Sequence, residues 1–514
     1  MSRSGFRGAL SRWVSKLFKS RDELELTSGS IGRPLFYLAL PIVITNLLQT
    51  AYNLADTFWV GQLSTDALAA ISFAFPLVFL FISMGLGIAV AGSVLVAQHI
   101  GGEEEREAEF AASQTISLSV VLAIVLGFIG YFVVHDLLAL LGADPGVLAP
   151  ATEYMQVIAA GLPFMFGFLV FISLMRGYGD TITPMLVMLG SVVLNIVIDP
   201  VFIFGFQDNP LFSMLGFTGV ESALYGMTGY AGTGVEGAAI ATVFCRGLAF
   251  FVGIGIMFRG KRGVRIRLSE LKPQFTFLRR LLEIGLPASV ENMGRSISVN
   301  ILLALIGTFA TPVVAGYGIA VRVFSVIFLP AVAVGQGVET MTGQNVGAGE
   351  YDRVSAVNRI ATITMFLALS ALGVFVYLFP DPIVGVFTND PEVITVGADF
   401  LRTVAPTFGF IGVVRVVTGG FRGTGKTITA AIIAIGMLGG IRLPVAYIAA
   451  IPLELGSSGV WYAFAVSNVL GGLLALLWFQ RGTWRGASLT HDGGPEDGAA
   501  PATDGGDTET GSDD

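Results

Sequence analysis

The sequence predicts an all-α integral membrane protein with twelve transmembrane helices in two pseudo-symmetric six-helix lobes. Three observations carry that expectation: an apolar composition, twelve spans and an internal duplication. Hydrophobic residues make up 54% of the 514-residue chain and charged residues only 13%, about half the charged share of a typical soluble domain. Mean hydropathy is +0.76. Apolar stretches of about 20 residues or more, long enough to cross a bilayer core as helices, recur near 33–60, 68–98, 109–140, 148–175, 181–206, 234–258, 276–308, 313–342, 355–380, 393–420, 427–453 and 458–480.

The duplication has a constant offset of 246 residues. Arg176-Gly177-Tyr178-Gly179-Asp180-Thr181-Ile182-Thr183 returns as Arg422-Gly423-Thr424-Gly425-Lys426-Thr427-Ile428-Thr429. Pro41 and Asn46 return as Pro287 and Asn292, Gln98 and Gly101 as Gln344 and Gly347, and Asp144-Pro145 as Asp390-Pro391. A period this long means duplicated domains rather than a solenoid. In a membrane chain, two like halves suggest a transporter that rocks one half against the other. The sixth spans match at an offset of 222 (Gly234 and Gly237 with Gly456 and Gly459), so the first half carries 24 extra residues in its 207–233 loop. That loop reads as a tolerated insertion, with a short external hairpin or cap as the alternative.

Charge placement orients the chain. With both termini in the cytoplasm, the external loops near 61–67, 136–147, 207–233, 309–312, 381–392 and 454–457 hold no Lys or Arg, while the opposite side is rich in them. This is the positive-inside pattern. The expected divisions are a cytoplasmic amphipathic segment (1–32), an N-lobe (33–260), a cytoplasmic linker (261–275), a C-lobe (276–481) and an acidic cytoplasmic tail (482–514). In the first segment Phe6, Leu10, Trp13, Val14, Leu17 and Phe18 share one helical face, the pattern of an interfacial helix on an anionic leaflet. The tail from His491 holds eight acids and no base, and these account for the whole formal net charge of −8; its composition predicts disorder. Cys245 is alone, which excludes an intrachain disulfide or thiolate metal site.

The halves differ where chemistry is expected. Asp56 is matched by Leu302, Asp199 by Val445 and Asn195 by Ile441, so the first half alone retains two carboxylates in apolar helices. A charged carboxylate at a helix centre costs about 2.5–3.5 kcal/mol, and such a group must pair, face a polar cavity or take up a proton. Gln49, Tyr52, Asn53 and Asp56 follow helical spacing along one face, and Asn195 and Asp199 are one turn apart. A lone buried Asp near a helix end is often a cap or a snorkelling group. Two at similar depth, each backed by amides, point to a shared site. Burial favours the protonated form and a nearby sodium ion the charged form; the residues are compatible with both. Pro41, Pro200, Pro287 and Pro444 each remove a helical hydrogen bond and invite a kink. Phe73, Phe75, Phe164, Met165 and Met188 are candidates for an adaptable apolar wall. Among other charges, Glu291 and Arg295 read as a structural i,i+4 pair. Arg322 and Glu339 are too far apart to pair with each other; either is a candidate to line the C-lobe, with Glu339, near the cytoplasmic end, read rather as an interfacial charge. Arg176 and Arg422 read as neutralising helix C-termini or lipid headgroups.

The segment Leu26 to Ile31, the span Leu40-Pro41 to Asp56-Thr57, Gln98 through Gly101, the Arg-Gly-x-Gly-Asp-Thr block and Asn195 to Pro200 together resemble the multidrug and toxic compound extrusion (MATE) family, closest to its prokaryotic DinF-like branch. The resemblance spans about residues 24–481. It implies the MATE fold and a multi-pass protein of a prokaryotic plasma membrane. It also implies secondary active antiport: export of small organic cations or amphipathic drugs in exchange for H⁺ or Na⁺. Carried over residue by residue, it implies cation or proton coupling at Asp56, Asn195 and Asp199, with Na⁺ at these three and Thr242 as the metal alternative. Gln49, Asn53, Tyr154, Met188 and Thr242 belong to the expected substrate cavity, and Pro41 is the expected hinge. Arg246, one turn after Thr242, is a departure that narrows the cavity or snorkels to the cytoplasm. Beyond the coupling ion no cofactor is expected, nor a nucleic-acid partner, and the bilayer surrounds a monomer.

The rival within this superfamily is a flippase of lipids or lipid-linked saccharides, which would line its cleft with basic groups. An enzyme is not expected: three scattered histidines, no HExxH and no nucleophile elbow leave nothing to catalyse with. A primary ATP-driven pump is not expected, since no nucleotide-binding domain fits in the loops.

Overall fold

The computed structural model describes residues 19, 21–142, 144–486 and 489; the amphipathic face before residue 19 and the acidic run from His491 lie outside these residues. Six long helices form the first lobe: α1 (Gly32–Leu63), α2 (Thr65–Gly101), α3 (Glu105–Leu140), α4 (Pro145–Tyr178), α5 (Ile182–Phe204) and α6 (Val235–Arg259). Six more form the second: α7 (Phe275–Ile306), α8 (Thr311–Gly347), α9 (Tyr351–Leu378), α10 (Pro391–Gly423), α11 (Thr427–Ala450) and α12 (Gly456–Gln480). Among the described residues there is no strand. Helices are the expected outcome, because a spanning segment must satisfy its backbone groups internally. Eleven of the twelve are long and apolar enough to cross a membrane on those grounds alone. The twelfth, α7, is diluted by Arg279, Arg280, Glu283, Glu291 and Arg295.

Local chemistry explains the breaks. Helix α10 passes through a tight turn at Ala405–Thr407, where Pro406 has no N–H to donate. Helix α11 widens into a π segment at Gly436–Arg442 just before Pro444. The proline ring displaces the carbonyl four residues back, Gly440, and the looser register absorbs the misfit.

Residues 207–233 form two short helices, Pro210–Leu215 and Thr218–Thr228, rather than a hairpin. Asn209 ties them to the end of α5: its Nδ2 donates to the carbonyls of Pro200 (2.8 Å) and Gly205 (2.7 Å). Its own N–H donates to Glu221 Oε1 at 2.5 Å. The connection between lobes is strapped along α3. Gln114 Nε2 donates to the Lys272 carbonyl (2.9 Å), and Arg106 pairs with Glu270 (2.8 Å).

The lobes meet at the end that carries the Arg-Gly-x-Gly turns and the Lys- and Arg-rich connections, called here the basic end. The contact repeats the pseudo-symmetry. Gln98 Nε2 donates to the Gly423 carbonyl at 3.0 Å, and its twin Gln344 donates to the Gly177 carbonyl at 3.0 Å. A Cβ at Gly101 would fall 1.8 Å from the Gln344 carbonyl oxygen, and a Cβ at Gly347 would fall 1.8 Å from that of Gln98. Gly179 (φ 102°) and its twin Gly425 (φ 80°) take the left-handed conformation that turns the chain after α4 and α10.

Buried charge crosses the same seam. Glu339 (2% exposed) accepts from Arg422 Nε at 3.0 Å and lies 3.5 Å from Arg176 Nη2 of the other lobe. Glu291 is shared between Arg422 (3.1 Å) and Arg295 (3.3 Å). Glu291 and Arg295 therefore pair, as their spacing predicts. The interfacial reading of Glu339 and the headgroup reading of Arg176 and Arg422 are corrected: desolvation inside the seam demands partners, and these groups supply one another.

Gly101→Ala is expected to cost about 1–3 kcal/mol by overpacking and to separate the lobes at the basic end. Thermal unfolding and interlobe spin-label distances check this, with Gly32→Ala, whose Cβ meets nothing within 4 Å, as the neutral comparison.

Candidate functional site

The structure brings Asp56 and Asp199 together from α1 and α5. Their carboxyl groups lie close enough to interact directly. Asn195 Nδ2 donates to Asp199 Oδ1 at 2.6 Å, one turn along α5, and Thr242 Oγ1 of α6 approaches Asp56 Oδ2 at 3.3 Å. Asn195 and Asp199 are fully buried. Four oxygens in this group have no hydrogen-bond partner among the described residues: Asp56 Oδ1, Asp199 Oδ2, Asn195 Oδ1 and the Tyr52 hydroxyl.

Chemistry follows from that geometry. Two carboxylates in contact inside an apolar bundle cannot both stay charged without a cation between them. A proton shared by the pair satisfies the condition. So does a small hard cation held by carboxylate, amide and hydroxyl oxygens, the ligand type such ions prefer.

Asp56 opens onto an N-lobe cavity of about 460 Å³. Gln49, Asn53, Tyr154, Met188 and Thr242 line it as expected, whereas Asn195 and Asp199 lie behind Asp56 and outside the lining. Phe75, Met165 and Met188 contribute to the apolar wall. Phe73 and Phe164 do not: Phe73 packs against the lobe's hydrophobic core and Phe164 against Phe250 and Phe251.

Arg246 turns inward instead of snorkelling. It is 7% exposed, donates from Nη2 to Gln49 Oε1 at 2.7 Å and lies 4.2 Å above the Tyr52 ring. Its Nη1 contacts Met188 Sδ at 3.1 Å. One cation thus caps the polar stripe of α1 (Gln49 Nε2 in turn donates to Asn53 Oδ1, 3.0 Å) and narrows the cavity. Asn46 also lines it, with an unpartnered buried Nδ2. The stripe Gln49, Asn53, Asp56 extended one turn back reaches Asn46, so helical spacing held the signal. Arg176 and Gln336 reach the lining from the basic end, and nothing in their sequence context marks them for it.

A twelve-helix, two-lobed bundle with a polar, acid-bearing cavity in one lobe defines a membrane transporter. The family model described as MatE matches residues 41–201 and 287–448, one copy in each lobe, and the chain belongs to that family of transporters. The chain is similar to the probable multidrug resistance protein YoeA of Bacillus subtilis, at 27% identity across 90% of this chain and 96% of that protein. It is likewise similar to the probable multidrug resistance protein NorM of Thermotoga maritima, at 27% identity across 90% and 95%. A MATE crystal structure in the bent conformation superposes with a TM-score of 0.79 at 25% identity, covering 90% of this chain and 98% of that one.

Arg246→Ala is expected to strengthen binding of a bulky organic cation such as ethidium by about tenfold, because it removes a like charge from a confined, weakly screened cavity and widens the space beside Gln49. Equilibrium titration of the purified protein checks it.

Proposed function

We propose that this chain is a secondary active antiporter that exports cationic or amphipathic organic compounds in exchange for H⁺ or Na⁺ by alternating access. The observation that carries the reading is the contact between Asp56 and Asp199, a pair that must hold one small positive charge. Relatives named as multidrug resistance proteins support the export of organic compounds.

The residues take these roles. Asp56 and Asp199 bind the coupling cation, with Asn195 and Thr242 orienting the two carboxyls. Gln49, Asn53, Tyr154 and Met188 meet the organic cargo beside Asp56, so that the cargo's positive charge and the coupling cation compete for one carboxylate. Pro41, buried inside α1 fifteen residues before Asp56, is the hinge. Thr45 Oγ1 donates to its carbonyl at 2.9 Å, the back-bonding that eases helix bending. A ligand shifts the balance of states only through its differential affinity for them. The closed basic end is one such state; charge asymmetry supports a cytoplasmic side for it and for both termini, in a prokaryotic plasma membrane. The working unit is a monomer. A lipid or lipid-linked saccharide flippase is not favoured, because the relatives are named as multidrug resistance proteins.

Purified protein in liposomes loaded with ethidium is expected to expel it under either an imposed proton gradient or an imposed sodium gradient, tested separately. Asp56→Asn and Asp199→Asn are each expected to reduce gradient-driven export by about tenfold or more. With proton coupling, ethidium affinity rises with pH as the pair loses its proton. With sodium coupling, it falls as Na⁺ is added at fixed pH. Full coupled export by the double variant would move the cation site elsewhere.

A further inference from the structure

The C-lobe holds a cavity of about 240 Å³ that the internal repeat relates to the N-lobe cavity wall by wall. The 246-residue offset carries Gln49 onto Arg295, Asp56 onto Leu302 and Leu169 onto Arg415. The 222-residue offset of the last helix carries Thr242 onto Phe464 and Arg246 onto Asn468. Position 196, on the helix of Asp199, becomes Arg442. The duplicated chamber has thus exchanged its acids for aliphatic residues and gained three arginines. No Asp or Glu belongs to its lining among the described residues.

The arginines are built into the walls. Arg442 is 7% exposed and donates from Nε to Ser467 Oγ and from Nη2 to Asn468 Oδ1, both at 2.8 Å. Its guanidinium lies 4.2 Å from the Phe464 ring, and that of Arg415 lies 4.2 Å from the Phe328 ring. Arg295 has a carboxylate neighbour in Glu291 at 3.3 Å, but Arg422 claims the same carboxylate. Across the seam, Arg176, Arg295 and Arg422 pair with Glu291 and Glu339, and among the described residues no ion pair joins Arg415 or Arg442. Cations in a membrane interior are expensive unless they serve a ligand or a pathway. Ring contacts offset part of that cost, and they also hold the guanidinium planes in place.

We propose that the C-lobe cavity is a second ligand site that takes the carboxylate or phosphate end of an aromatic or other apolar molecule, held by Arg295, Arg415 and Arg442. The planar guanidinium suits both anions, since its fork matches two oxygens at once. Tyr317, Phe324, Phe328 and Phe464 supply the apolar walls. The site is separate from the cation site of Asp56 and Asp199 and selects the opposite charge.

Calorimetric titration of the full-length protein in neutral detergent with 2-naphthoate and with its uncharged analogue 2-naphthamide tests the proposal. Naphthoate is expected to bind about tenfold tighter or more. Arg415→Leu and Arg295→Gln, which restore the residues of the N-lobe twin, are expected to abolish that preference, while Arg415→Lys keeps most of it. Equal binding of the two probes by the native protein overturns the proposal, as does equal naphthoate affinity in the Leu and Lys variants; the arginines are then wall residues stacked on their rings. Displacement of naphthoate by phosphatidylglycerol, but not by phosphatidylcholine, supports a lipid headgroup as the occupant. Insensitivity to both lipids supports a soluble organic anion. No gradient and no organic cation enter this measurement, so its failure and that of the antiport reading are distinguishable.

Discussion

Everything polar in this bundle answers to the cost of charge in an apolar interior. The chain meets that cost in three ways. Asp56 and Asp199 share one site, so that a single small cation neutralises both. Glu339 is clasped by arginines from both lobes, and Glu291 by Arg295 and Arg422 of its own lobe. Arg415 and Arg442 lie over aromatic rings. The first arrangement calls for a cation that comes and goes, and the third leaves room for an anion. The second is complete within the chain, and its role is to join the lobes.

That junction gives the molecule its mechanical character. Gln98 and Gln344 each reach across to a backbone carbonyl beside the other lobe's Arg-Gly-x-Gly turn, and the backbones touch where a methyl group at Gly101 or Gly347 would not fit. Such a seam is either closed or open, with little between, because close packing and matched hydrogen bonds are lost together. Among the described residues, interlobe hydrogen bonds and ion pairs gather at the basic end and reach no farther than the Ser289 hydroxyl on the Met84 carbonyl. A seam confined to one end suits a rocking motion about it.

Divergence between the copies explains the division of labour. An N-lobe cavity with an acid at its deep end and a C-lobe cavity lined by arginines share a backbone and differ at a handful of positions, 49 against 295, 56 against 302 and 169 against 415. The bundle tolerates this because a chamber wall, unlike a packed core, leaves room for side chains of different size and charge.

Much of this was legible in the sequence, since membrane helices obey one-dimensional rules. Span length, charge asymmetry and the 246-residue offset need only residue order, and the stripe from Gln49 to Asp56 follows from helical spacing on one element. The meeting of α1, α5 and α6 was not legible in that way, because residues 56, 199 and 242 touch only through packing of distant helices. Tertiary structure also decided that Arg246 turns inward onto Gln49 and Tyr52 and that Glu339 is buried between two arginines. It decided too that residues 207–233 form helices anchored by Asn209. Residue order alone determined which groups are costly to bury; the fold decided which partner relieves each of them, because only three-dimensional proximity supplies the compensating charge or hydrogen bond.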